Sequence, residues 1–431
     1  MSLIESLQFA RHSESSYDMD CIMPRVKAFK AVRPAPANAA SVASVPYDVV
    51  NRSEAATLAK GSADSFLHVI RPDIDLPADT DPYSDEIYAT AKQNFDRFLA
   101  DGVLRQDAED SVFLYRQVMN GIAQVGVVCC CHIDDYENNL ILKHEKTRPA
   151  KEDDRTRHIM TLGAHPGPLF LAYKDHEGLN ATAAEAIKAD PLVDFTAPDG
   201  VRHTVWQVTD SAAYVEALTS VSEFYIADGH HRAASAWRAG KARREANPAH
   251  TGDEEYNWFL TVLFPASQLK ILAYNRIIKD LNDLSVDELK ARLAEVGTLE
   301  PTDDPVPPEP GSFCVYADGT WHKLTIPADS IDHSDPINSL DVAILEHRVI
   351  TPVFGITDVR TDPRIDFVGG IRGTEELEER VNSGEWACAV SMYPTSIEQL
   401  MAVSDAGEVM PPKSTWFEPK LRSGLFVHML D

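Results

Sequence analysis

The stretch Phe224–Trp237, with the sequence FYIADGHHRAASAW, predicts an apolar strand that turns directly into a helix. Backbone N–H groups in the first turn of a helix have no partner inside the helix, and the helix dipole favours negative charge beside them. The glycine at the turn lets a ligand approach the backbone closely, and the two histidines and the arginine add donors and positive charge. The corner therefore predicts a phosphate-binding site. Its special residues are Asp228, Gly229, His230, His231 and Arg232.

Asp228, at the end of this strand, has two interpretations. Its carboxylate either caps the helix or holds a Mg²⁺ ion. The plainer alternative for the whole corner is an aspartate cap beside incidental histidines. Because so many polar or special residues gather at one strand–helix corner, we favour the phosphate site.

Strand-like and helix-like segments alternate on both sides of this corner, which predicts an α/β or α+β fold with mixed sheets. The dipeptides Asn120-Gly121 and Asp318-Gly319 each separate two strand-like runs, and such dipeptides are typical of tight β-hairpin turns. Helical periodicity over residues 83–104 predicts a long amphipathic helix.

Two shorter segments of the N-terminal region also carry local signals. The apolar run SFLHVIRP, at residues 65–72, predicts a strand that Pro72 stops. The preceding segment SEAATLAK contains good helix formers, and we expect its helix to start with Ser53 as the cap.

A chain of 431 residues is too long for one ordinary compact core, so we expect two or three packed units. A Pro-rich acidic stretch at residues 299–312 is typical of a connector. The expected division is an N-terminal extension at 1–26, an N-terminal lobe at 27–110, a central catalytic unit at 111–280, and a C-terminal lobe that packs on the site at 281–431.

The charge balance argues against several classes of partner. The chain has 40 basic and 67 acidic residues, a net charge of −27, and such a surface repels nucleic acid and anionic lipid. No apolar run approaches the roughly 20 residues that span a bilayer. The first residues do not resemble a secretory signal, and none of the six cysteines forms a CxxC pair. We therefore expect a cytoplasmic protein with reduced thiols and no nucleic-acid or membrane partner; a homodimer is compatible with the sequence.

The segment ADGHHRAASAW resembles the DGHHR-type signature of the ParB/sulfiredoxin superfamily, in particular its free-serine kinases. Residues 27–431 also resemble a bacterial and protist family long described as a domain of unknown function. The strings that carry this second resemblance are VPYDVV, SFLHVIRP, KHEKT, DGHHR, RIDFVGGIRG and MPPKSTWFEPKLRSGL. The first resemblance implies a ParB/sulfiredoxin-like central unit with a mixed sheet, in which the DGHHR corner binds nucleotide phosphates.

A second segment, KHEKTR, contributes to the resemblance to the serine kinases. In those kinases a glutamate in a similar position ahead of a helix is taken as the base that activates the serine hydroxyl, and Glu145 matches it. The interval from Glu145 to Asp228 is longer here than in the small kinases, which implies an insertion. The alternative is a solvated, charged helix start with i,i+4 ion pairs.

The resemblance thus implies a phosphotransferase that uses ATP or ADP, with Mg²⁺, to convert free L-serine into O-phospho-L-serine. Phosphoserine hydrolysis or the reverse reaction is one alternative, and a nucleotide-binding ParB-like regulator is another. A sulfiredoxin-like reductase is excluded because its motif cysteine is replaced by His230. The expected catalytic residues are Glu145, Asp228 and His231; the nucleotide-binding residues are Gly229, His230, His231, Arg232 and Arg148; the substrate-binding residues are Arg372, His144 and Lys413; and the metal ligand is Asp228.

Overall fold

The computed structural model describes residues 23–431. Its strands, in chain order, are β1 (Val26–Lys27), β2 (Val32–Pro34), β3 (Leu104–Gln106), β4 (Phe113–Met119), β5 (Ile122–His132), β6 (Ile141–Leu142), β7 (Ala164–His165), β8 (Leu169–Tyr173), β9 (Val193–Thr196), β10 (Arg202–Gln207), β11 (Phe224–Asp228), β12 (Trp258–Pro265), β13 (Lys270–Leu272), β14 (Tyr274–Ile278), β15 (Thr298–Pro301), β16 (Ser312–Ala317), β17 (Thr320–Thr325), β18 (Ile365–Gly369), β19 (Cys388–Met392), β20 (Trp416–Glu418) and β21 (His428–Met429).

The α-helices of the same residues are α1 (Ala39–Val42), α2 (Arg52–Ala59), α3 (Leu67–Ile70), α4 (Asp85–Ala100), α5 (Ile133–Glu137), α6 (Pro149–Leu162), α7 (Glu177–Ala186), α8 (Ser211–Leu218), α9 (His230–Ala246), α10 (Val286–Val296), α11 (Asp341–Leu345), α12 (Thr351–Phe354), α13 (Glu375–Asn382) and α14 (Ile397–Asp405).

The central sheet has the strand order β6-β11-β8-β12-β5-β4-β10-β9, and β1 pairs with β5. Two of its pairs, β11 with β6 and β12 with β8, are parallel, whereas the others are antiparallel. The predicted mixed α/β fold is therefore confirmed. Strand β5 lies between two other strands and carries three consecutive fully buried cysteines, as expected for small apolar side chains in a core.

Both predicted hairpins are confirmed, and the backbone explains why the sequence signals were strong. Asn120 and Gly121 connect β4 to β5 with φ angles of 51° and 77°, and Asp318 and Gly319 connect β16 to β17 with φ angles of 49° and 74°. Positive φ at both central residues is the geometry of the tight turns that match the twist of paired strands, and Asn, Asp and Gly tolerate it best.

A second sheet, with the order β15-β17-β16-β19-β14-β18, is built from later strands of the chain. One continuous apolar cluster joins it to the central sheet: Phe170 and Phe264 lie in the same cluster as Phe313 and Val390. Strand β14 belongs to this second sheet, although residues 111–280 were expected to form the central unit. The proposed unit boundaries at 110 and 280 remain predictions, and residues 1–22 lie outside the described chain.

The N-terminal helices form a third packed region around Phe66, Phe95 and Phe98. The strand predicted for SFLHVIRP is wrong, because Leu67–Ile70 is helical and is followed by a 3₁₀ turn. A short, fully apolar run does not distinguish a buried strand from a buried helix, and here the run is enclosed by helices.

The predicted helix at SEAATLAK exists as α2, but its cap differs from the prediction. Asn51, not Ser53, accepts a hydrogen bond from the backbone N–H of Glu54, and the Glu54 carboxylate accepts one from the N–H of Asn51. This reciprocal pair is a capping box, which starts the helix two residues earlier than predicted.

Among residues 23–431, no helix is both long enough and apolar enough to traverse a lipid bilayer.

Candidate functional site

Five of the six quoted sequence strings line one cavity of about 480 Å³. Its walls come from the N-terminal helical region, from the β11–α9 corner with the segment before α6, and from the loop before β20. Six Lys and Arg side chains line it beside five carboxylates, a much less acidic balance than that of the whole chain. The charged and histidine residues are Asp48, Arg71, Asp73, His144, Glu145, Arg148, Lys151, Asp154, Arg155, Asp228, His230, His231, Lys413 and Lys420.

The DGHHR corner has the strand–turn–helix geometry that the sequence predicts. Strand β11 ends at Asp228, Gly229 follows with φ of 97°, and the 17-residue helix α9 begins at His230. A side chain at the glycine would also collide with its neighbour, because a Cβ there would lie 2.9 Å from Nε of Arg232. Gly229 is thus required both by its backbone angle and by crowding. The first N–H groups of α9 have no acceptor within the helix, and this end of α9 lies at the cavity.

Arg232 lies behind the corner rather than in the cavity. Its Nη2 donates to Oδ2 of Asp228 at 3.0 Å, its Nη1 donates to the carbonyl of Pro168, and its side chain is only 11% exposed. It lies in the first turn of α9, four residues after Asp228, and the cavity lining does not include it. In this arrangement Arg232 holds Asp228 in place.

Asp228 is held between two cations. Lys420 lies 3.7 Å from its Oδ1, opposite the Arg232 contact to Oδ2. Burial opposes ionisation, but Lys420, Arg232 and the Gly229 N–H together hold the pKa of the carboxyl below its usual value. Asp228 is therefore an anion throughout the neutral range.

His144, His230 and Glu145 form a chain of contacts beside the corner. The backbone N–H of His144 donates to Nε2 of His230 at 3.4 Å, and the two rings pack edge to face with centroids 4.4 Å apart. A neutral His230 whose Nε2 accepts carries its proton on Nδ1. That Nδ1 lies 3.6 Å from Oε2 of Glu145, so the ring turns a donor towards the glutamate.

The two histidines are neutral at physiological pH. Burial lowers the pKa of His144 to about 4. Burial, with His144 and His231 nearby, lowers the pKa of His230 well below its usual value. These rings therefore position neighbouring groups instead of supplying charge.

Glu145 differs from the histidines in its access to solvent. Its side chain is 46% exposed and lines the cavity. Desolvation by the cavity wall raises the pKa of its carboxyl, Lys413 partly opposes this, and Asp228 reinforces it. A carboxylate with a raised pKa that faces a cavity is a suitable general base.

His231 connects the corner to the start of α6. Its Nε2 accepts from the backbone N–H of Arg148 at 3.1 Å, and burial lowers its pKa. Arg148 occupies the cap position of α6 and turns its guanidinium to the cavity, where its side chain has no ion-pair partner within residues 23–431. Lys151 and Lys413 also line the cavity and form no salt bridge with any residue that the structure describes.

Lys413 is held in a strained conformation. Its φ of 59° is left-handed, which is uncommon for a residue with a long side chain, and its Nζ lies 5.2 Å from the centre of the Tyr274 ring. The loop that carries it is anchored to the KHEKTR segment, because the N–H of Met410 donates to the carbonyl of His144 at 2.9 Å and Thr415 Oγ1 lies 3.4 Å from His144 Nε2.

The structure brings most of the predicted site residues to one place, but not all of them. His144, Glu145, Arg148, Asp228, Gly229, His230, His231 and Lys413 line the cavity. Arg372 does not: its half-exposed guanidinium lies 3.9 Å from Glu54 and from Glu376. The glycines before it serve close packing, since Gly369 faces the indole of Trp416 and Gly370 the backbone of Ala273.

Sequence analysis did not identify several lining residues, among them Tyr47, Asp48, Arg71, Tyr83 and Lys420. All but Tyr83 lie in strings that carried the family resemblance. Membership of these strings was therefore the sequence signal that could have identified them.

The expected Mg²⁺ has little support from the side chains. The described residues contain no group of three or more His, Cys, Asp or Glu side chains placed to hold a metal ion. Both oxygens of Asp228 already face cations. The side chains around Asp228 therefore do not fit a dedicated site for Mg²⁺.

Comparison with known proteins gives a family for the chain. The sequence model of a family described as "Protein of unknown function (DUF1015)" matches residues 26–343. No curated protein matches the sequence.

Several solved structures share a general likeness. A "Free serine kinase in complex with AMP" is 14% identical, with 67% of this chain and 86% of that chain covered and a TM-score of 0.33. A conserved hypothetical protein from Pyrococcus furiosus is 14% identical (70% and 95% covered, TM-score 0.35), and SbnI with C-terminal truncation from Staphylococcus aureus is 13% identical (70% and 87% covered, TM-score 0.37). TM-scores this low do not establish a shared fold, so the ParB/sulfiredoxin-like assignment remains a prediction.

Proposed function

Since the chain belongs to the DUF1015 family of proteins of unknown function, we propose from the geometry of its cavity that it is a nucleotide-dependent phosphotransferase that phosphorylates free L-serine. One observation carries the proposal. The half-exposed carboxylate of Glu145 and the open N-terminus of α9 face the same cavity, beside the unpaired cations Arg148, Lys151 and Lys413. A base and an anion site in one enclosed space are what transfer of a phosphoryl group to a hydroxyl requires.

The cavity offers one surface to the phosphates of the nucleotide and another to its nucleobase. The phosphates accept hydrogen bonds from the first N–H groups of α9 and gain charge neutralisation from Arg148 and Lys151. The nucleobase meets an apolar wall from the N-terminal region, which contains Ile70, Pro72 and the 47% exposed Tyr83. ATP and ADP both satisfy these surfaces.

Glu145 acts as the general base. It takes the proton from the serine hydroxyl as the hydroxyl oxygen forms its bond to the terminal phosphorus, and the bond from that phosphorus to the bridging oxygen of the nucleotide breaks. His230 presents its Nδ1 donor 3.6 Å from Oε2 of Glu145, slightly beyond hydrogen-bond distance, so a small movement of Glu145 brings its carboxylate into a hydrogen bond with the ring. Asp228, fixed by Arg232, keeps Lys420 at the cavity wall, where the ammonium adds to the positive field on the transferred group.

The experiment incubates the protein with ATP, with ADP or without nucleotide, in the presence of serine or phosphoserine, and follows all phosphorus species by ³¹P NMR. We expect phosphoserine to form from serine only when a nucleotide is present. Glu145→Gln keeps the size and polarity of the side chain but should lower turnover roughly 10²–10⁴-fold. Glu216→Gln on α8, outside the cavity lining, is the matched control and should be unchanged.

Two results would contradict the proposal. Turnover of Glu145→Gln that equals that of the control removes the base from the mechanism. Release of phosphate from phosphoserine without any nucleotide, and no transfer to serine, supports the phosphatase alternative instead.

A further inference from the structure

We propose that Asp48 binds the ammonium group of the acceptor, so that the cavity selects a hydroxy amino acid over a hydroxy acid of the same size. This inference rests on the proposed function, because it names the part of the acceptor that the cavity recognises.

The loop that carries Asp48 is fixed by a distant arginine. Nη1 of Arg71 donates to the carbonyl of Tyr47 at 3.1 Å and also to the carbonyl of Val50, so it ties both ends of the turn around Asp48. Arg71 is in turn held by a bidentate pair with Asp73, at 3.0 and 2.8 Å. The Asp48 backbone is therefore pre-organised, and little ordering is left for a ligand to impose.

Asp48 is one of two cavity carboxylates that have no cationic partner among residues 23–431. Asp73, Asp154 and Asp228 each form an ion pair with an arginine. Asp48 is exposed to the cavity and forms no salt bridge in the part of the chain that the structure describes. Glu145 is the other such carboxylate, and it already has a role as the base.

Asp48 lines the same cavity as the proposed base Glu145 and as His231 in the first turn of α9. In agreement with this placement, its charge adds to the effect of desolvation that raises the pKa of Glu145, and it opposes the lowering of the pKa of His231 by burial. A carboxylate in this position repels phosphate and attracts a ligand group that brings a positive charge.

The same cavity also provides for the opposite end of an amino acid. Lys413 lines the same cavity as Glu145, forms no salt bridge among residues 23–431 and can bind a carboxylate. A zwitterion that presents a hydroxyl to Glu145, an ammonium to Asp48 and a carboxylate to Lys413 satisfies all three groups.

The test compares L-serine with L-glycerate, which has the same hydroxyl and carboxylate but no ammonium, as acceptors for the full-length protein. We expect the wild-type kcat/KM to favour serine by roughly ten- to a hundredfold, the range of one charge-assisted hydrogen bond. Asp48→Asn should remove most of that preference by lowering kcat/KM for serine while glycerate is unchanged or improved. Asp318→Asn is the matched control, because it makes the same change at a hairpin turn outside the cavity, where asparagine tolerates the positive φ.

A binding measurement keeps this inference separate from the proposed function. Saturation-transfer NMR without nucleotide reports binding of serine and of glycerate to the wild type and to Asp48→Asn. If no acceptor is phosphorylated, the proposed function fails, but serine binding that weakens in Asp48→Asn while glycerate binding does not still supports the ammonium site. Equal loss for both acceptors in Asp48→Asn, or a changed requirement for Mg²⁺ with the acceptor preference intact, overturns it.

Discussion

Replacing Arg232 with methionine tests whether this arginine holds Asp228 in place or contacts the nucleotide phosphates. The substitution removes the guanidinium but keeps much of the apolar stem. It leaves the Asp228 carboxylate with Lys420 as its remaining cationic partner, at 3.7 Å, and leaves the Pro168 carbonyl without its donor. If Arg232 holds Asp228, as its position behind the corner indicates, the first consequence is a loss of stability and not of nucleotide contacts.

The expected magnitude follows from the burial of the pair. Removing one partner of a fully buried ion pair costs about 3–5 kcal/mol. Here the two side chains are 11% and 29% exposed and one cation remains, so we expect a loss of about 2–3 kcal/mol. At 2–4 °C per kcal/mol, the melting temperature should fall by about 4–12 °C.

Urea unfolding of Arg232→Met, of Asp228→Asn and of the double variant measures the coupling directly. We expect the double variant to lose less unfolding free energy than the two single variants lose together. The difference should be at least about 0.5 kcal/mol, as is typical of residues in contact. Arg148→Met is the matched control, since that arginine is exposed in the cavity and unpaired. It should unfold within about 0.5 kcal/mol of the wild type but bind nucleotide more weakly. Wild-type stability and lost nucleotide affinity in Arg232→Met would refute the positioning role and restore the phosphate contact that the sequence predicts.

Two further predictions concern the same corner. Gly229→Ala should lower the melting temperature more than Gly61→Ala does, because both residues have positive φ but only Gly229 has Arg232 against the new Cβ; equal losses by calorimetry would show that crowding is unimportant. The acid limb of the pH profile of kcat/KM should lie above pH 4.5, since the raised pKa of Glu145 keeps the base protonated at lower pH. Lys413→Met removes a charge that favours the carboxylate, so the limb should move to higher pH, and a shift to lower pH would contradict the assignment of Glu145 as the base.

The sequence correctly predicted the elements that are determined by residues next to each other in the chain. The hairpins follow from Asn-Gly and Asp-Gly turns, and the β11–α9 corner follows from an apolar run, a glycine and a helix start. The strand expected at SFLHVIRP failed because an apolar run of this length carries no period, and the choice between strand and helix depended on the surrounding helices.

The direction in which a side chain points was harder to predict than the element that carries it. Arg232 belongs to the same motif as His231, yet the helix turns His231 to the cavity and Arg232 to the back of the corner. The i,i+4 spacing from Asp228 to Arg232 could have indicated that these two side chains pair with each other. Asp48 had no local signal, because the contacts that fix its loop come from Arg71, more than 20 residues away in sequence.

Several separate parts of the chain line the cavity, and the DGHHR corner is only one of them. Of the lining residues, eleven come from an N-terminal flank at residues 47–87, ten from residues 144–231 and eight from a C-terminal flank at residues 410–420, and Tyr274 of β14 is the remaining one. The proposed phosphate site and base lie within residues 144–231, whereas Asp48 lies in the N-terminal flank and Lys413 in the C-terminal flank. On the roles proposed above, a related chain with the same corner and different flanks would keep the phosphate site and the base but present other groups to the acceptor. Because the C-terminal flank is bonded to the carbonyl of His144, the residue next to the proposed base, changes in that flank also act on Glu145 itself.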